Sequence, residues 1–206
     1  MHKFRPTTSP LFAIAIWACL TSCTLAFEIS GITVGDPVSK MASIGEDPVA
    51  KDVEGPLLIQ RFELPGGNQL SVTSDRDSGL IDFIEIDWSG EAAGQLTDIP
   101  GVLFGRTTLT ELRALTGSNG FVRKQNYGGP DSAELISLNS YEDLDHKGQE
   151  ITFVTRGPMS DAAHGVLDSL IFASSAFLDD YWGSEKLFDT AYRPIPLDAL
   201  AAAPTH

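Results

Sequence analysis

"SDRDSGLIDFIEID" occupies residues 74–87, and a near copy, "SDAAHGVLDSLIFA", occupies 160–173. Both follow Ser-Asp-x-x-x-Gly, then Leu or Val, then Ile or Leu, then Asp, one free position, and Ile or Leu. Ser, Asp and Gly favour turns, so the first part of the phrase reads as a tight loop. The remainder alternates: Ile84, Ile86 and Trp88 fall on one side of an extended chain, and Glu85 and Asp87 on the other. Alone, the Ala-rich start of the second copy suggests a helix. The match of Gly165 to Gly79 makes it a loop leading into a strand.

The echo extends upstream, where "GITVGDPVSKMASIG" (31–45) precedes the first copy and "GVLFGRTTLTELRALTG" (101–117) the second. Each has Gly-x-x-x-Gly and then a helix start. Asp36 is placed to cap, with Pro37 at the first helical position and Val38, Met41 and Ile44 along one face. Thr108 and Glu111 form a capping box ahead of Leu109, Leu112 and Leu115, and Gly117 suits a left-handed helix end. After each helix the period shortens to two. "PLLIQRFEL" (56–64), "QLSVTSD" (69–75) and "LIDFIEIDW" (80–88) are joined by Gly-rich breaks, which predicts a three-stranded meander. "AELISLNSYED" (133–143), "QEITFVTR" (149–156) and "GVLDSLIFAS" (165–174) repeat it, after an extra segment, "FVRKQNY" (121–127). One such unit cannot cover its own sheet face. The expected fold is therefore α+β, a tandem duplication of a helix plus a three-stranded antiparallel meander (28–88 and 101–174) sharing one sheet.

Residues 1–26 read as a secretory signal, with His2, Lys3 and Arg5 ahead of the apolar run "LFAIAIWACL" (11–20) and small residues after it. The run is too short for a permanent membrane span. Two cleavage sites compete: "LTSC" (20–23) has the form of a lipobox, which would end the leader at residue 22 and lipidate Cys23, whereas Thr24 to Ala26 fit ordinary small-x-small cleavage. A strand-like segment, "FEISGITVG", begins four residues after Cys23 and leaves little tether. Either way Cys19 is lost and no disulfide can form within the chain. A mature chain of roughly 180 residues can rely on its core alone, because a domain of that size buries about 70% of its unfolded surface. Removing Lys3 and Arg5 from the sequence leaves 12 basic and 28 acidic residues, a net charge of −16. That field repels phosphate backbones and anionic lipids, so nucleic-acid binding is excluded and membrane contact is expected only through a lipid on Cys23.

The two "G-(I/V)-x-x-G" phrases, Gly31 to Gly35 and Gly101 to Gly105, each opening a helix-then-strands unit in an exported chain, resemble the β-lactamase-inhibitor-protein-like fold and the small outer-membrane lipoproteins of the SmpA/OmlA type. The likeness spans about residues 28–174. It implies a protein that acts by binding other proteins, as an inhibitor or as an accessory part of an envelope assembly. The chain lacks the inhibitors' disulfides, and nothing in the resemblance corresponds to residues beyond 174.

Several stretches carry chemistry-bearing residues. "EDLDHKGQE" (142–150) gathers Glu142, Asp143, Asp145 and His146, a possible cation ligand set that reads more readily as a solvated hairpin loop. "SDRDSG" (74–79) has acids at alternate positions, but its Gly comes one place early and no Glu closes it, so a calcium loop is not formed. His164 has no nucleophile-elbow phrase beside it. The most unusual stretch is "AFLDDYWGSEKLFDTAYRPIPL" (176–197), with Phe177, Tyr181, Trp182, Phe188 and Tyr192 as candidate partner-binding residues, since aromatics concentrate in interface hot spots. The same aromatics would also suit a strap over 175–197 that packs on its own sheet. Residues 27–197 are expected to form one domain and 198–206 a disordered tail. The functional expectation is a periplasmic or outer-membrane-anchored module that binds another protein, with a basic partner suited to its charge, and uses no cofactor. The alternatives are an inhibitor or immunity-like role, and a periplasmic hydrolase or cation-dependent enzyme.

Overall fold

Alternating segments become strands wherever Gly, Pro and Asp break them. The computed structural model of the chain describes residues 27–123 and 134–202. A 3-10 helix over Val38–Ile44 leads into β1 (Ala50–Glu54), β2 (Leu57–Glu63), β3 (Gln69–Asp75) and β4 (Ile81–Asp87). A short hairpin of β5 (Gln95–Leu96) and β6 (Leu103–Phe104) precedes helix α1 (Leu109–Thr116). Then come β7 (Phe121–Arg123), β8 (Glu134–Glu142), β9 (Gln149–Pro158), a 3-10 turn (Ala162–His164), β10 (Val166–Ser174), helix α2 (Ser175–Trp182), β11 (Lys186–Phe188) and helix α3 (Leu197–Ala201). Among the described residues, all strands except β5 and β6 join one nine-stranded sheet in the order β1-β2-β3-β4-β10-β9-β8-β7-β11. Every neighbouring pair in it is antiparallel, and the fold is α+β.

The middle of the sheet is the seam between β4 and β10, the two strands that end the "SDxxxG" phrases. Glu85 lies opposite Ile171 there, and these are the residues at the same place in the two phrases. Asp82 bulges out of the β3–β4 ladder, and Asp168 bulges out of the β9–β10 ladder. An isolated bridge joins Pro37 to Leu80, and another joins Thr108 to Val166. The backbone N–H of Gly35 donates to Ile81 O at 2.8 Å, and that of Gly105 to Leu167 O at 2.8 Å. Val38 N–H donates to Gly79 O at 2.9 Å, and Leu109 N–H to Gly165 O at 3.0 Å. Each helix start is thus tied to the loop and strand that follow it by the same backbone bonds.

Four expectations are corrected. Residues 28–88 and 101–174 each supply four strands to the large sheet rather than three: β1 was not expected, and β7 comes from the segment read as extra, of which residues 124–127 lie outside the described residues. Asp36 does not cap the first helix; Pro37 is the cap residue, and the Asp36 carboxylate instead accepts the Thr33 N–H at 3.0 Å. On α1 the Thr108–Glu111 capping box forms, but Leu115 is exposed while Leu109 and Leu112 are buried. Residues 198–202, assigned to a disordered tail, are helix or turn, because Leu197 and Leu200 drop into the core and anchor α3. Residues 203–206 and Cys23 lie outside the described residues.

One sheet face carries nearly all of the core. Leu70, Val72, Ile84, Ile86, Phe153, Leu170 and Phe172 point into it, and the first helix, α1, α3 and the segment from Phe27 to Val34 close over them. The opposite face holds a smaller apolar cluster under α2. That second face is where the chain's polar and aromatic chemistry collects.

Candidate functional site: an acidic groove walled by aromatic side chains

Helix α2 starts where Ser174 stops being strand. Its hydroxyl accepts the Phe177 N–H at 3.1 Å, an N-cap that satisfies one of the helix's open donors. The helix lies across the second sheet face with Leu178 buried on Val154, Ile171 and Ala173. Phe177 packs on Phe83 at 5.4 Å between ring centroids, and Tyr181 stacks on Phe177 at 5.8 Å. Tyr181 is nevertheless 68% exposed, so its outer ring face is offered to solvent.

The chain beyond α2 is fastened by a charged network over the β7–β9 side of this face. Arg123 lies within the sheet and donates from Nη2 to both oxygens of Glu150, at 3.0 and 2.9 Å. Its Nη1 reaches Asp179 Oδ1 at 2.5 Å and Gly183 O at 2.7 Å. Lys186 Nζ bridges Glu142 at 2.8 Å and Glu150 at 2.6 Å, which separates two carboxylates that face each other across the ladder. Burial pushes the Lys186 ammonium down, but its bonds to Glu142 and Glu150 prevail and hold it above the usual lysine value. Burial raises Glu142, yet its bonds with Lys186 and Tyr192 bring it below the usual carboxylate range. The fully buried Glu150 is a charge that only such bidentate and bridging contacts make tolerable. Chemically the network is a clasp: Asp179, Gly183, Lys186 and Tyr192 all belong to the C-terminal segment.

The clasp covers β7 to β9 and leaves β2 to β4 open, forming a groove of about 390 Å³. Phe83, Phe177, Tyr181 and Trp182 make its aromatic wall, Leu57 and Ile59 line the β2 side, and Glu85 and Asp87 lie in its floor. Glu85 accepts from the Ser169 hydroxyl at 3.1 Å. Among the described residues no Lys or Arg pairs with either floor carboxylate; Arg61, the nearest cation of the lining, is engaged by Asp52. Burial, with the Asp87 charge adding to it, pushes Glu85 up to about 7 despite the Ser169 bond. Asp87 is likewise raised, by burial first and by the Asp168 charge, against the Ser169 bond. Two desolvated acids beside aromatic faces favour a cation: neither carboxylate has a counter-charge among the described residues, and each ring offers its negative face.

The five aromatic residues singled out in the sequence are divided by the structure. Phe177, Tyr181 and Trp182 wall the groove, whereas Phe188 and Tyr192 sit at the far sheet edge, with centroids 4.7 Å apart and both packed on Phe121. Glu85 and Asp87 were read only as the wet side of a strand, and Arg123 and Glu150 carried no sequence signal. In the 142–150 loop, Asp143 is buried and turns inward, accepting from Asp145 N–H at 3.0 Å and meeting His146 Nδ1 at 2.8 Å. Among the described residues no group of three His, Cys, Asp or Glu side chains is arranged to hold a metal ion. Asp75 accepts the Asp77 and Ser78 N–H groups, a turn of its own making. His164 meets Asp161 at 2.7 Å on the surface. No helix among the described residues is long and apolar enough to cross a membrane. Compared with known protein families, curated proteins and solved structures, the chain gives no significant match.

Proposed function

We propose that the protein is an exported envelope or periplasmic module that binds another protein by taking a basic segment of it into the groove between α2 and β2–β4. The observation that carries this reading is the pairing of an aromatic wall with two desolvated carboxylates that no Lys or Arg among the described residues neutralises. A Lys or Arg side chain fits both halves: its charge answers Glu85 and Asp87, and its stem or guanidinium plane lies on Tyr181 and Trp182. The acidic surface adds long-range attraction for the same partner and speeds encounter.

We further propose that the chain is one unit of a helix and four strands used twice, joined edge to edge at β4 and β10. The matched bulges, bridges and helix-start bonds of the two halves support it. The C-terminal segment then has one copy for two faces. It clasps one half and leaves the other half's groove vacant for a partner.

Isothermal titration with a hexalysine peptide, against a hexaglutamate control, tests the reading. Hexalysine is expected to bind, and Glu85→Gln with Asp87→Asn to weaken it roughly tenfold, about 1.4 kcal/mol. Removing the same charge elsewhere, with Glu46→Gln and Asp47→Asn, is expected to change affinity little. Tyr181→Ala with Trp182→Ala is expected to weaken binding without loss of net charge. Equal weakening by the two acid pairs, or none by the aromatic pair, would reduce the interaction to general attraction and overturn the groove.

A further inference from the structure

Phe27 belongs to the core. Phe27 is 1% exposed, with its ring edge-on to Phe172 at 5.1 Å, and Ile29 and Ile32 behind it are fully buried. Its backbone nitrogen donates to Asp198 Oδ1 at 2.8 Å, so the entry of the chain and the helix near its other end are joined by a single bond. Phe27 is also the residue that follows "TLA", one of the two cleavage sites legible in the leader.

We infer that the leader is removed by hydrolysis of the Ala26–Phe27 amide, and that the α-ammonium so released pairs with the Asp198 carboxylate. An export-associated peptidase would add water across that bond. The hydroxyl goes to the Ala26 carbonyl carbon and the hydrogen to the Phe27 nitrogen, which takes a further proton from solvent. An uncleaved chain offers Asp198 a neutral N–H; the processed chain offers it a charged donor in the same place, and charge-assisted bonds are the stronger kind. The competing site fits less well. If the chain began at an acylated Cys23, three residues spanning roughly 10 Å would separate the lipid from a buried Phe27. A body carrying −16 would then be held against the head groups, where anionic lipid repels it. This inference is independent of the groove.

Two measurements test it. The full precursor is produced in an exporting Gram-negative host, and the processed protein is read by N-terminal sequencing and intact mass. Phe27 is the expected first residue, without added acyl mass; an acylated Cys23 or any other terminus overturns the cleavage. For the pairing, a chain beginning at Phe27 is compared with one beginning at Ala26, each released from a fusion by a site-specific protease. Asp198→Asn keeps an oxygen acceptor and removes the charge. It is expected to lower Tm by several degrees in the Phe27 chain and by clearly less in the Ala26 chain. Equal lowering in both would overturn the ion pair.

Discussion

Glu85 makes the groove's chemistry visible to a pH titration. Its folded value of about 7 stands above its ordinary 4.5. Between those two values the folded chain therefore keeps a proton that the unfolded chain releases, and stability falls as pH rises through that window. His146, raised by its bond to Asp143, acts in the same direction, since its charged form is the paired one. Glu85→Gln separates the two: chemical denaturation at pH 5 and pH 8 should show a smaller loss on going to pH 8 than the parent shows. An unchanged loss would mean that Glu85 is not desolvated as described. At the clasp, Arg123→Met leaves buried Glu150 with Lys186 as its one remaining cation among the described residues. A loss of about 3–5 kcal/mol is expected by denaturant unfolding, as for other broken buried pairs. Replacing Glu150 by Met as well should restore part of it. The glycines of the repeated phrase show how one letter can serve two ends. Gly79 takes a φ of +70°, where glycine carries no strain, whereas Gly165 has an ordinary φ and a Cβ on it would sit 3.3 Å from Ala162 O; the close approach there belongs to Gly157, whose Cβ would come within 2.6 Å of the Gly165 Cα.

At the level of elements, legibility followed local chemistry. Helix α1 was readable because its capping box, left-handed Gly117 and apolar spacing lie within ten residues of one another. Thr108→Ala should cost about 1 kcal/mol in denaturant unfolding with an unchanged m-value. The strands β2 to β4 and β8 to β10 were readable through alternation and Gly-rich turns. Strand β1 was not, because as a sheet edge it buries nothing that would impose a pattern: Lys51 to Glu54 are all exposed. Charged residues such as Lys51 and Asp52 also suit an edge that must not pair with another chain. Helix α3 was hidden for a different reason. Its five residues favour a helix but are too few to hold one alone, and they are fixed by Leu197, Leu200 and the Asp198 bond to Phe27, which are tertiary. Helix α2 depends on Leu178, so Leu178→Ala is expected to cost about 2–5 kcal/mol. It should also weaken hexalysine binding, since Tyr181 and Trp182 ride on the same helix; intact affinity would place the binding elsewhere.

At the scale of the whole molecule, the aromatic wall was visible in the sequence and the acidic floor was not. Trp182 and Tyr181 stand out by composition, but Glu85 and Asp87 became part of the same site only when a helix about 90 residues later in the chain folded over their strand. The β2–β4 side and the β7–β9 side of this sheet face differ in what covers them. One side is clasped by Arg123, Lys186 and Glu150, and the other carries two acids with which no Lys or Arg among the described residues pairs. The account rests on that open half being the binding surface. Two-dimensional NMR of the labelled protein, titrated with hexalysine, tests this most directly. The account predicts that the Trp182 indole and the signals of Phe83, Glu85, Asp87 and Tyr181 move together and saturate at one equivalent. Shifts centred on β8 and β9, or spread evenly over the acidic surface, would contradict it.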